Sequence, residues 1–158
     1  MEIIDLIKIL RDKNLKIATA ESCTGGLLAK KITDVSGASE VFEMGIVSYA
    51  NKIKNEFLDV PNAVLDTVGA VSEETARQMA IGVTNLAKSD IGVGITGIAG
   101  PTGGTEEKPV GLVYISIYLV KDNNSIVKKL LLDGNREDVR EQTTNIVIDE
   151  VGKLLIDN

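Results

Sequence analysis

Residues 15–34, Leu15-Lys16-Ile17-Ala18-Thr19-Ala20-Glu21-Ser22-Cys23-Thr24-Gly25-Gly26-Leu27-Leu28-Ala29-Lys30-Lys31-Ile32-Thr33-Asp34, decide how this chain is built. The first six residues form a short, largely apolar run that reads as a buried strand. Residues 21–26 break the run. From Gly26 onward, Leu27, Leu28, Lys31 and Ile32 recur at helical spacing. Strand, tight glycine turn and helix in that order put a turn residue at a helix N-terminus.

Upstream, residues 2–13 predict a helix, with Ile3, Ile4, Ile7 and Leu10 at helical spacing. Downstream, residues 44–50 predict a second strand and residues 51–58 a short helix. Ser72 is the expected N-cap of a helix reaching about Lys88, with Glu73 and Glu74 where the dipole favours negative charge. Residues 90–96 predict a third strand that runs into a glycine-rich stretch, Gly97 to Gly111. Residues 112–120 and 126–133 predict an antiparallel hairpin, with turn chemistry in Lys121-Asp122-Asn123-Asn124-Ser125. Residues 136–156 predict a closing amphipathic helix with Val139, Thr143, Ile146, Val147, Val151 and Leu154 on one face.

No internal repeat, low-complexity tract or linker interrupts residues 1–158, so one domain is expected. Strand–helix units first and a hairpin later predict an α/β fold: a mixed β-sheet with helices on both faces, in three layers. Ligands of such sheets sit at the carboxyl ends of strands. Residues 21–26, 49–54 and 96–105 all follow predicted strands, which makes them the candidate site.

The 158 residues are 44% hydrophobic and 25% charged, the composition of a globular domain. Aromatics are only 3% and there is no Trp, so the core must be aliphatic. A net charge of -6 argues against non-specific nucleic-acid binding, which depends on Lys and Arg neutralising phosphates. It leaves room for a small phosphorylated ligand, which needs only a local positive pocket. The N-terminus lacks the features of a signal peptide, and no run approaches the roughly 20 apolar residues that span a bilayer. Cys23 is the single cysteine, so no internal disulfide forms and a cytoplasmic location is expected. The chain has no histidine. That excludes Ser-His-Asp and Cys-His catalysis within one chain and removes the commonest ligand of catalytic zinc. A nucleophile here needs Lys, Tyr, a carboxylate, a helix N-terminus or a partner chain to activate it.

In Glu21-Ser22-Cys23-Thr24-Gly25-Gly26, a serine on a strand-to-helix turn lies near the unpaired N–H groups of a helix start. Such donors stabilise the oxyanion of acyl transfer. On the hexapeptide alone, a helix cap by Ser22 or Thr24 is the commoner use of these residues. Cys23 is a rival nucleophile, although a lone Cys more often packs as a small core residue. In Tyr49-x-Asn51-x-x-Lys54, a lysine desolvated by the cleft would have a lowered pKa and could take the serine proton. Lys52 competes for that role. Residues 96–105 contain four glycines whose N–H groups could cradle a phosphate or carboxamide. They match neither the mononucleotide P-loop nor the dinucleotide fingerprint. Arg136, at the start of the last helix, is electrostatically misplaced unless an anion binds there or a carboxylate pairs with it.

Taken together, residues 19–29, 45–54, 69–80, 94–111 and 134–140 resemble the successive signatures of the CinA C-terminal domain family. Its stand-alone members include nicotinamide-nucleotide amidases of the bacterial PncC type. Longer members carry a further N-terminal domain, which this chain is expected to lack. The resemblance implies hydrolysis of nicotinamide mononucleotide (NMN) to nicotinate mononucleotide and ammonia, with neither metal nor cofactor. It matches Ser22 to the nucleophile, Lys54 and Tyr49 to its activation, and the glycine-rich loop, with Thr96 and Thr105, to ligand binding. Helix N-terminal N–H groups near residues 24–26 are expected to hold the oxyanion. Substrate contacts are expected from Glu21, Thr24, Gly25, Gly26, Asn51, Thr96, Gly97, Ala99, Gly100, Gly103, Gly104, Thr105 and Arg136. The expected partner is the small-molecule substrate, with no nucleic acid and no membrane; a homodimer or higher homo-oligomer is left open. The competing class is a non-catalytic nucleotide- or phosphate-binding module. A DNA-related role, which the competence-linked family name suggests, finds no support in so acidic a chain.

Overall fold

Alternation along β1 (Ile17–Glu21) divides the interior in two. Ile17 joins one apolar cluster and Ala18 and Ala20 the other, on the opposite face. A computed structural model describes residues 1–157. β2 (Phe42–Val47) and β3 (Ile91–Gly97) flank β1 and run parallel to it. β4 (Leu112–Leu119) pairs antiparallel with β3, and β5 (Asn124–Leu131) antiparallel with β4. The sheet order is β2-β1-β3-β4-β5, the mixed sheet that the sequence predicts.

Helices α1 (Ile3–Asp12), α2 (Leu27–Thr33) and α6 (Arg136–Asp157) cover one face. Leu6, Leu28 and Val147 pack there against Ile17, Val93, Ile95 and Ile115. The other face carries α3 (Asn51–Leu58), α4 (Asn62–Thr67) and α5 (Glu73–Ala87), through Leu58, Leu65, Met79 and Val83. The fold is therefore a three-layer α/β domain. Among the described residues, no helix is long and apolar enough to cross a membrane.

Several boundaries differ from the sequence reading. Leu6, not Ile4, shares the inner face of α1 with Ile7 and Leu10, and Ile4 is 62% exposed. Positions 3, 6, 7 and 10 are the set that one helical face can bury. On α6, Ile148 and Leu155 are buried while Ile146 and Leu154 lie half-buried at its edges. β2 starts at Phe42 and ends at Val47, so residues 48–50 lie outside the strand. α4 was not anticipated. Ser72 caps α5 as expected, accepting from the Thr75 N–H at 3.2 Å.

The alternation Ile91-Gly92-Val93-Gly94-Ile95 has a packing consequence that positions the site. Ile91, Val93 and Ile95 point into one core, whereas Gly92 and Gly94 face α5. A Cβ at Gly94 would meet the carbonyl oxygen of Ala76, so the helix backbone rests directly on the strand. That close approach brings the residues before α5 beside the carboxyl end of β3. There the Thr96 hydroxyl donates to the Ala70 carbonyl at 2.7 Å.

Candidate active site

Ser22 follows the last residue of β1 and is 8% exposed. Its N–H donates to the Ile95 carbonyl of β3 at 2.9 Å, and its carbonyl accepts from the Gly25 N–H at 3.0 Å. The serine backbone is thus held by the neighbouring strand and by its own turn. Lys54 reaches it from α3. Lys54 sits four residues before Leu58, so the two share a helix face, and Leu58 anchors that face in the core. The Lys54 side chain is buried, and its Nζ donates to Ser22 Oγ at 3.1 Å, to the Ser48 carbonyl at 2.7 Å and to the Tyr49 carbonyl at 3.1 Å.

Burial pushes the Lys54 pKa down from 10.5 to about 8, and the nearby Cys23 pulls weakly the other way. As an ammonium, Lys54 has three protons for three acceptors. Once it loses one, two N–H groups still serve the two carbonyls and the lone pair is left for the Ser22 hydroxyl. Lys52, the competitor, lies on the solvent side of α3, 3.7 Å from Glu56. Cys23 is a poor rival for Ser22: burial holds its thiol up at about 11, so it stays protonated.

Around this pair is a cavity of about 350 Å³, within the range of small-molecule sites. Ser22, Cys23, Tyr49 and Lys54 line it together with Ala70, Val71, Thr96, Gly97, Ile98, Ala99, Gly100, Thr102, Gly103 and Arg136. Among the described residues, the N–H groups of Ala99, Gly100, Thr102 and Gly103 make no hydrogen bond. Arg136 donates to the Gly100 carbonyl at 2.9 Å and to the Tyr49 hydroxyl at 3.2 Å. Among the described residues no carboxylate pairs with it. Tyr49 meets Lys54 through its carbonyl, not its hydroxyl, so it stands at the rim with Arg136 rather than between base and nucleophile. A second cavity, of about 370 Å³, lies at the other end of the sheet between Leu15, Ile91, Leu119 and Leu155, and offers no nucleophile with a buried base.

The remaining expected residues lie outside the cavity. Glu21 is 1% exposed, and its carboxylate accepts from the Thr24 hydroxyl at 2.7 Å, the Leu28 N–H at 2.8 Å and the Ala29 N–H at 3.0 Å. It caps α2, a use for which the hexapeptide alone offers Ser22 or Thr24. The first-turn donors of α2 are therefore occupied. In the turn itself, the N–H groups of Cys23, Thr24 and Gly26 bond to no other described residue. Gly25 and Gly26 take φ values of +60° and +97°, which shape the turn. Asn51 is exposed at the start of α3. Gly104 packs against Val110, and Thr105 closes a turn with Lys108. The expected contacts omit Ala70, Val71, Ile98 and Thr102; the last two fall within the glycine-rich segment 96–105 that the sequence marks as candidate site, and the first two directly precede the Ser72 cap. They also omit Arg140, whose Nη2 donates to the Thr24 carbonyl at 2.9 Å.

An open mixed sheet carrying a serine–lysine pair at the carboxyl edge of its parallel strands defines the class of protein. The profile of the CinA C-terminal domain matches residues 3–155, and the chain belongs to that family. A CinA-like protein of Kosmotoga olearia is 50% identical over 151 residues, covering 96% of this chain and 36% of that protein. The chain thus spans about a third of the length of the curated relatives it matches. The crystal structure of competence/damage inducible protein CihA from Agrobacterium tumefaciens superposes with a TM-score of 0.90 at 36% identity, covering 98% of this chain and 96% of that one. A CinA superfamily protein from Klebsiella pneumoniae reaches 0.94 at 28% identity, with 99% and 96% covered.

Proposed function

We propose that this domain is an amidohydrolase that deamidates nicotinamide mononucleotide to nicotinate mononucleotide. The observation that carries the reading is the 3.1 Å contact between Ser22 Oγ and the Nζ of a buried lysine titrating at about 8, in a chain without histidine. A lysine so poised is a general base near neutral pH. Family membership and the phosphate-sized set of free loop N–H groups beside Arg136 support the choice of substrate.

In the proposed reaction, neutral Lys54 takes the Ser22 proton as Oγ attacks the carboxamide carbon. The oxygen that becomes negative is met by turn N–H groups, foremost that of Cys23, next to the nucleophile. Lys54 returns the proton to the departing nitrogen, and ammonia leaves an acyl-enzyme. Water then attacks the ester carbon with Lys54 again as base, which frees nicotinate mononucleotide and restores Ser22. Tyr49 and Arg136 hold the nucleotide at the rim, Arg136 as a bidentate donor to phosphate. A cytoplasmic setting goes with this substrate.

Incubating the purified protein with NMN and measuring ammonia and nicotinate mononucleotide tests the proposal. Release of both supports it. Tight binding of NMN without ammonia release would overturn the catalytic reading and leave a nucleotide-binding module.

A further inference from the structure

Arg140 lies one turn after Arg136 on α6, and no expected role accounts for it. Its Nη2 donates to the Thr24 carbonyl across 116 residues of sequence, and its Nε is buried with no partner among the described residues. The same peptide group that offers the Thr24 carbonyl also carries the Gly25 N–H, which donates to the Ser22 carbonyl at 3.0 Å. Arg140 therefore holds one end of a peptide whose other end holds the nucleophile's own backbone. The guanidinium lies so close that a Cβ at Gly25 would stand 3.2 Å from Nη2, and Gly25 has a φ of +60°. Neither Arg136 nor Arg140 forms an ion pair among the described residues.

We propose that Arg140 is a positioning residue: it pins the Thr24–Gly25 peptide so that Ser22 and the neighbouring turn N–H groups keep the geometry of attack. A charge-assisted bond to a carbonyl is roughly twice as strong as a neutral one, and it polarises the N–H of the same peptide. Arg140 does not line the cavity around Ser22 and Lys54, and so acts through the turn. This inference rests on the amidase reading for its catalytic consequence, but not for the pinning itself.

The test uses the whole chain with Arg140→Met and Arg140→Lys. With NMN, Arg140→Met is expected to lower kcat about 10²-fold, the usual cost of small misplacement, while KM changes little. Nicotinamide riboside, which lacks the phosphate, should show the same loss, and Arg140→Lys should recover part of it because an ammonium can still donate to the Thr24 carbonyl. Amide exchange read by NMR gives a second measurement. Gly25 should exchange about tenfold faster in Arg140→Met through local opening, while Val93 in β3 keeps its protection. Should Arg140→Met unfold globally, Arg140→Lys must still show faster Gly25 exchange and a kcat below the native value with KM little changed. Unchanged Gly25 exchange, or a KM rise confined to NMN, overturns the proposal. Failure of the native chain to release ammonia overturns the amidase reading alone, since Gly25 exchange still decides the pinning.

Discussion

Replacing Lys54 with Met keeps the length of the apolar stem and removes the amine. In the native site that amine touches Ser22 Oγ and two carbonyls. At pH 7 a lysine titrating at about 8 is free base in roughly one molecule in ten, against roughly one in three thousand at 10.5. The rate of ammonia release from NMN should therefore climb with pH and level off above about 8. Lys54→Met should lose about 10²–10⁴ in kcat, the worth of a positioned base, and lose the pH rise with it. Stability gives an independent reading. The folded pKa lies below the unfolded one, so the unfolded chain binds more protons between about 8 and 10.5, and native stability rises with pH across that window. The full rise amounts to about 3 kcal/mol. Cys23, raised to about 11, works in the opposite direction above about 9, but it is common to both proteins. The difference in urea midpoint between native protein and Lys54→Met, followed from pH 7 to pH 10.5, isolates the lysine. A flat native pH profile, or native turnover in Lys54→Met, would refute the assignment of Lys54 as base.

Ser22→Ala should abolish ammonia release and cost little stability, because Glu21 and not Ser22 caps α2; Cys23→Ala should stay active, and the reverse result in the two rate assays would move the nucleophile to Cys23. Arg136→Ala should weaken NMN binding by about 1.5–3 kcal/mol, the worth of a hydrogen bond to a charged group, and leave nicotinamide riboside almost unaffected. Equal losses for both ligands in titration calorimetry would make Arg136 a support of the fold. Glu21→Ala should destabilise the protein by about 3 kcal/mol in urea denaturation, since it strands the buried Leu28 N–H, the half-buried Ala29 N–H and the buried Thr24 hydroxyl. An unchanged urea midpoint with a raised KM would return Glu21 to the substrate.

Local pattern was enough for the sheet, the strand–turn–helix around Ser22, the Ser72 cap and the list of three loops that meet at one edge. Those features follow from hydrophobic period and turn chemistry, which act over a few residues. The choice between Lys52 and Lys54 was nearly legible as well: two helical positions apart, they face opposite ways, and Leu58 marks the inner side. The place of the Glu21 carboxylate is not legible locally, because a carboxylate at a strand end can face a ligand or a helix start, and the docking of α2 brings it to the Leu28 and Ala29 N–H groups. Tyr49 and Arg136 are 87 residues apart, and Arg140 and Thr24 are 116 apart. Nothing local requires either contact. They exist because the glycines of β3 let α5 settle onto the sheet while α6 packs on the opposite face, and that three-layer closure alone brings the start of α6 to the nucleophile turn.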